Sequence, residues 1–216
     1  APGLEYPRRE LAGRFRAVGP LRAPAAGPVA EPPAWWGDLD AATAVVHVTQ
    51  GTIDNHDPTR LIVPTIRALA GADVLVVAAT GGRDPREVRA HFPGGLPANA
   101  RVASFLPYGD LLPHTDVVVT NGGFGGVQQA LRHGIPLVVA GATEDKPEVA
   151  ARVAWAGAGI DLRSGSPRPS TIAAAVDRVR RDPRYRRGAE RIRAEIVDAP
   201  DPVEVIAARL ERCARP

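Results

Sequence analysis

From residue 44 onward the chain alternates short apolar runs with longer segments of helical period. The runs are AVVHVTQ (44–50), DVLVVAAT (73–80), RVASFL (101–106), DVVVT (116–120), PLVVAG (136–141) and the weaker GIDL (159–162). Each is short, rich in β-branched residues and apolar at successive positions. Both faces of the strand it predicts are therefore buried, as the strands of a parallel sheet must be. Asp-Pro pairs at 57–58, 84–85, 182–183 and 201–202 punctuate the intervening segments. Each offers a carboxylate to cap a helix and a proline for its first turn. Asp145 with Glu148, and Asp201 with Glu204, have capping-box spacing. In the last predicted helix Val203, Ile206, Ala207, Leu210 and Cys213 fall on one stripe, which assigns Cys213 to a core. Strand–helix alternation of this kind predicts an α/β fold, a Rossmann-like doubly wound parallel sheet of about six strands.

The stretch before residue 44 has no such period. Residues 19–37, GPLRAPAAGPVAEPPAWWG, are crowded with Pro, Ala and Gly and predict an extended strap, with Trp35 and Trp36 pinning its end to a domain surface. The division expected is a connector over 1–37 and a folded domain over 38–216. The composition, 44% apolar and 24% charged in 216 residues, is that of a globular chain. No run approaches the roughly 20 apolar residues of a membrane span, and the first residues lack the apolar core of an export signal. A cytoplasmic protein with no membrane partner is expected. One cysteine excludes an internal disulfide and a cysteine-rich metal site. Lys146 is the only lysine, all other basic side chains being arginine, and methionine is absent altogether. That bias matches a GC-rich coding sequence, and the missing start residue suggests a piece of a longer protein. The arginine-rich segment 178–193 is interleaved with Asp182 and Glu190 and flanked by Asp177 and Glu195. It predicts a solvated helix face rather than a nucleic-acid surface.

Chemistry is expected beyond the carboxyl ends of the strands, where the order of an open parallel sheet reverses. Two loops there stand out. After the first run comes Gly51-Thr52 and a polar turn; after the fourth comes TNGGFGGVQQAL (120–131), with four glycines around one phenylalanine. Each joins a strand end to a helix start, and together they offer free N–H groups suited to phosphate. The residues speak against a nicotinamide dinucleotide site. GTIDN lacks the G-x-G-x-x-G pattern, the second run ends in VVAATGG without an acidic residue, and Gly123-x-Gly125 is followed by Gln128 rather than a third glycine. His47 lies within the first run and is read as a core histidine. The other four histidines have no metal-ligand spacing, and no metal or other cofactor is expected.

The span 116–153, DVVVTNGGFGGVQQALRHGIPLVVAGATEDKPEVAARV, resembles the donor-binding signature of GT-B glycosyltransferases, nearest to the bacterial enzymes that glycosylate macrolides and other natural products. VVHVTQGT is similar to the first strand and Gly-Ser/Thr turn of their C-terminal half, VASFLPYGDLLP to the segment that holds the nucleobase, and LEYPRRELAGRFRAVGPL to the connector between halves. The resemblance covers nearly the whole chain but one half of a complete enzyme. It implies that Phe105 stacks on the base, unless it is simply core, and that the backbone of Leu106 meets the base edge. Gly51, Thr52, Gly123, Gly125 and Gly126 would take the diphosphate. Asn121 stands at the usual histidine position, where it could donate a hydrogen bond but no charge. Gln129 replaces the glutamate that commonly binds ribose, and its carbonyl oxygen is a weaker acceptor than a carboxylate. Asp145 and Lys146 stand where many members have Asp-Gln facing the sugar. Asp145 is also a candidate N-cap, and Lys146 a candidate solvated first-turn residue.

By resemblance, then, the chain is the donor half of an inverting, metal-independent glycosyltransferase. It would bind a UDP- or TDP-linked sugar and work with an N-terminal acceptor domain that carries the histidine base and the small-molecule acceptor. No catalytic residue is expected within these 216 residues. Two alternatives stay open: a sugar-nucleotide epimerase of the same architecture, and a non-catalytic auxiliary module, for which Asn121 and Gln129 are the support.

Overall fold

All six apolar runs become parallel strands of one sheet. A computed structural model describes residues 2–7, 18–20 and 31–214; most of the 19–37 strap lies outside the described residues. The strands are β1 (Val45–Thr49), β2 (Leu75–Ala79), β3 (Ala100–Ala103), β4 (Val117–Thr120), β5 (Leu137–Val139) and β6 (Gly159–Asp161), in the order β3-β2-β1-β4-β5-β6. Every neighbouring pair is parallel. The order reverses between β1 and β4, so the two glycine-bearing loops singled out in the sequence open side by side at the switch point. The helices are α1 (Asp38–Ala41), α2 (Ile62–Ala68), α3 (Pro85–Arg89), α4 (Tyr108–Leu111), α5 (Phe124–Arg132), α6 (Lys146–Trp155), α7 (Pro169–Arg181), α8 (Pro183–Val197) and α9 (Pro202–Ala214).

Alternate side chains of each strand serve opposite faces. Val46, Val48, Val76, Ala78 and Val119 pack with Ile62, Ile66, Val88, Ile172 and Val176 under α2, α3 and α7. On the other face Val118, Leu137 and Val139 meet Val127, Leu131, Val149, Val153 and Ile192 of α5, α6 and α8. That same face is covered over β1 and β2 by Leu39, Leu106 and Leu111, with Trp35 and Trp36 packed against it, as the sequence predicts for the tryptophans. Each fully buried aliphatic side chain contributes about 1.5–3 kcal/mol relative to exposure. Asp57, Asp84 and Asp182 accept the backbone N–H two residues on, and Asp201 accepts that of Val203 at 2.8 Å, so all four Asp-Pro caps form. Asp57 opens a single 3-10 turn (Pro58–Arg60) ahead of α2.

Two expectations are corrected. Asp145 makes no side-chain cap bond, because its own backbone is already helical (φ −83°, ψ −6°); the left-handed turn is made one residue earlier, at Glu144 (φ 56°). Cys213 is exposed rather than core. The stripe it shares is real but faces solvent, with Val203 63% and Leu210 65% exposed. The arginine-rich segment forms the solvated face expected of it: Arg181 pairs with Asp177, Arg184 with Asp182 and Arg186 with Asp116. Among the described residues no helix is long and apolar enough to cross a membrane.

Candidate functional site

A cavity of about 400 Å³ opens at the switch point. Its mouth is made by the β1–α2 loop at Gly51 and Thr52, by the β4–α5 loop at Asn121 and Gly123, and by the first turn of α5 at Gly125 and Gly126, with Gln129 one turn further along that helix. Gly81, Phe105 and Leu106 form the side toward β2 and β3, and the floor runs onto the sheet between α4 and α5, over His47, Tyr108, Leu112, Val118 and Ala130. Nine of the residues proposed from sequence thus share one cavity lining: Gly51, Thr52, Phe105, Leu106, Asn121, Gly123, Gly125, Gly126 and Gln129. Asp145 and Lys146 are not part of that lining.

The first turn of α5 is unusual in what it lacks. Gly125 and Gly126 lie within the helix, and a Cβ built on either would meet nothing within 4 Å. Neither the backbone conformation nor the chain's own packing therefore requires glycine, which costs roughly 1 kcal/mol per position against alanine in a helix interior. The first intrahelical bond is donated by Val127 to Gly123. The N–H groups of Phe124, Gly125 and Gly126 are left without a partner among the described residues, as at any helix start, and here they sit beside a cavity with no side chain in the way.

Phe105 is 56% exposed, which rules out the core alternative for this ring. Leu106 beside it is buried, anchoring the segment that presents the phenyl face. Thr52 and Gln129 are exposed at the cavity mouth. Asn121 is buried, and its amide hydrogens are already committed, to Gln50 O at 2.6 Å and Asp54 O at 3.3 Å. Its Oδ1 accepts from Gly123 N at 3.4 Å. Asn121 is thus a tie between the two loops, which corrects its reading as a donor toward a ligand: a fixed amide has two hydrogens and both are spent.

Lys146 is also other than expected. It is 4% exposed, so it is not a solvated first-turn residue. Its ammonium bonds Glu144, Thr143 at 3.2 Å and Asp54 at 3.3 Å. Burial opposes its charge, but the Glu144 and Asp54 carboxylates together outweigh burial and raise its pKa. Burial likewise works against the Asp54 carboxylate, and the bonds from Thr143 and Lys146 with the charge of Arg60 reverse that and lower its pKa. Asp145 is exposed at the start of α6.

His47 is buried, as its place in a strand predicts, but it also forms the cavity floor. Burial holds it down to about 4, against a smaller opposing effect of the Val77 carbonyl. That carbonyl, 2.9 Å from Nδ1, can only accept, so Nδ1 carries the hydrogen and Nε2 accepts from the Tyr108 hydroxyl at 2.9 Å. The floor is therefore uncharged. Among the described residues no three His, Cys, Asp or Glu side chains are grouped to hold a metal ion. Sequence reasoning missed Gln50, Asp54, Asn55 and Tyr108. Their roles are bonds to distant backbone and side chains, which leave no periodic signal.

Residues 64–212 match the family model described as erythromycin biosynthesis protein CIII-like, C-terminal domain. The chain is 52% identical over 209 residues to 4'-demethylrebeccamycin synthase of Lentzea aerocolonigenes, covering 94% of this chain and 48% of that protein. It superposes on the calicheamicin glycosyltransferase CalG4 with a TM-score of 0.74 and 30% identity, covering 94% of this chain and 50% of that one. On the glycosyltransferase VinC in complex with dTDP the TM-score is 0.76 at 26% identity, covering 100% and 51%. The chain spans about half the length of the curated relatives it matches. It belongs to the family of the erythromycin biosynthesis protein CIII-like C-terminal domain, and its six-stranded parallel sheet is one half of a GT-B glycosyltransferase fold.

Proposed function

We propose that this chain binds a nucleoside-diphosphate sugar, UDP- or TDP-linked, as the donor half of a cytoplasmic, inverting, metal-independent glycosyltransferase. The full-length enzyme passes a hexosyl group to a hydroxyl of a small-molecule natural product. The observation that carries the reading is the first turn of α5. Two glycines with open space where a Cβ would stand line a cavity of about 400 Å³, and the helix start they belong to carries three N–H groups without a partner among the described residues. Such a helix start favours an anion by charge and by directed hydrogen bonds. Each bond to a charged group contributes about 1.5–3 kcal/mol.

In this reading the diphosphate lies between the α5 N-terminus and Gly51-Thr52, the base rests on Phe105 against the Leu106 backbone, and Gln129 meets the ribose. Asp145, exposed beyond β5, is the remaining group for the sugar hydroxyls. Lys146 supports the loops from below. As the acceptor hydroxyl attacks the anomeric carbon, the glycosidic C–O bond breaks and negative charge grows on the departing diphosphate. N–H dipoles already aimed at that charge stabilise the transition state more than the ground state. The base that removes the acceptor's proton belongs to the remainder of the full-length protein.

Calorimetric titration of the chain with UDP and TDP tests the reading. Binding of at least one at millimolar concentration or below, lost in Gly125→Val, is the expected result. No heat from either at millimolar concentrations, in a chain shown to be folded, overturns it.

A further inference from the structure

Two adjacent residues that do not touch the cavity hold one of its jaws from three sides. Asn55 is buried, and its Nδ2 lies 3.0 Å from Gly51 O, 2.9 Å from Thr80 O and 3.0 Å from Gly81 O. It therefore ties the Gly51-Thr52 turn to the loop that follows β2. Asp54 faces the other way. Its carboxylate accepts from Arg60 Nη1 at 2.9 Å and from Thr143 Oγ1 at 2.9 Å, with Lys146 Nζ at 3.3 Å. Its carbonyl oxygen accepts from Asn121 at 3.3 Å. Asp54 thereby joins the same turn to the loops that follow β4 and β5.

The fit around this junction is close. A Cβ on Gly81 would lie 1.9 Å from Gly51 O, and Gly81 has a φ of +64°. The loop after β2 can thus press on the turn only where a side chain is missing. Gly51 itself has a φ of +71°, a conformation that glycine reaches without penalty but does not hold unaided. Left untied, such a turn samples many conformations, and ordering it at the moment of binding costs conformational entropy. Holding the turn beforehand removes that cost from the binding step.

We propose that Asp54 and Asn55 are positioning residues: through the loops after β2, β4 and β5 they fix the Gly51-Thr52 turn in the pose that receives the distal phosphate. The proposal rests on the donor-site reading above. It differs from a general stabilising role in what it makes sensitive. The turn meets phosphate, whereas the base is held by Phe105 and Leu106, which follow β3. Loosening the turn weakens the phosphate contribution and leaves the nucleoside contribution unchanged.

The test is to titrate UDP, TDP, uridine and thymidine into the parent chain and into Asn55→Ala and Asp54→Ala, each checked for a cooperative melt. The expected result is that the parent prefers a diphosphate to its nucleoside. Each variant then loses about tenfold of that preference, the scale of one charge-assisted hydrogen bond, with nucleoside affinity within about twofold of the parent. Folded variants that keep the parent's diphosphate-to-nucleoside ratio overturn the proposal, whatever their melting temperatures. Should Asn55→Ala fail to fold, Asp54→Ala decides on the same ratio, since that carboxylate is partly solvated. A parent with no preference for the diphosphate overturns the donor-site reading itself, an outcome visible before any variant is measured.

Discussion

Lowering the pH should charge the cavity floor, and the penalty can be worked from His47. Its ring is neutral in the fold because burial holds its pKa at about 4, against 6.5 in the unfolded chain. Above pH 6.5 both states are neutral and the histidine adds no pH dependence. As the pH falls through 6.5 the unfolded chain takes up a proton that the folded chain refuses, so stability is lost progressively until the folded pKa is reached. At 1.36 kcal/mol per unit the full loss is about 3 kcal/mol, of which about 2 kcal/mol falls between pH 7 and pH 5. Other groups of the chain also change protonation with pH, so the measurement is a difference. Urea unfolding of the parent and of His47→Leu is followed at pH 7, 6 and 5, and the gap between them is plotted. The parent starts the more stable, because the variant strands the Val77 carbonyl and the Tyr108 hydroxyl. Its margin should shrink by about 2 kcal/mol by pH 5. A margin that stays constant from pH 7 to pH 5 would refute the neutral, buried assignment.

Gly125→Val should leave the melting temperature close to the parent's, since the side chain enters open space; it should abolish UDP and TDP binding by calorimetry, and retained affinity would refute the phosphate reading of α5. Phe105→Ala removes a ring that is 56% exposed. Its stability should hardly change, while nucleotide affinity falls about 5- to 150-fold, the loss of about 1–3 kcal/mol of stacking; unchanged affinity would place the base elsewhere. Lys146→Met should lower the unfolding free energy by about 1–2 kcal/mol, seen as a lower urea midpoint, because the Asp54 and Glu144 carboxylates lose their shared partner. An unaltered midpoint would mean the ion cluster contributes nothing net.

The strands were legible because Val-rich runs such as DVVVT have one physical use, a strand buried on both faces. The mouth of the cavity followed from glycines placed after two of those runs. Cap geometry was legible only in part. Asp145–Glu148 and Asp201–Glu204 have identical spacing, yet Asp201 caps and Asp145 does not. The difference lies in the preceding backbone, where Glu144 turns left-handed, and spacing carries no trace of that. The stripe Val203–Cys213 is apolar but lies in solvent, because periodicity reports that a helix has an apolar side, not what lies against it. Asn121 stands at an expected position, but its hydrogens point into the protein, to Gln50 O and Asp54 O, and a position in sequence carries no sign of that. Asn55 was invisible for a related reason: two of its three partners are single carbonyls 25 and 26 residues away.

The burial of Lys146 has a practical corollary. The chain has no other lysine, and this one is shielded and held protonated by Asp54 and Glu144. Acylating reagents need a free, unprotonated amine, so modification at this position should be slow in the intact fold. Whatever loosens the Asp54 junction should speed it. Mass spectrometry of the peptide spanning 145–152 would then follow the opening of the phosphate turn over time, with the protein's own side chain as the label.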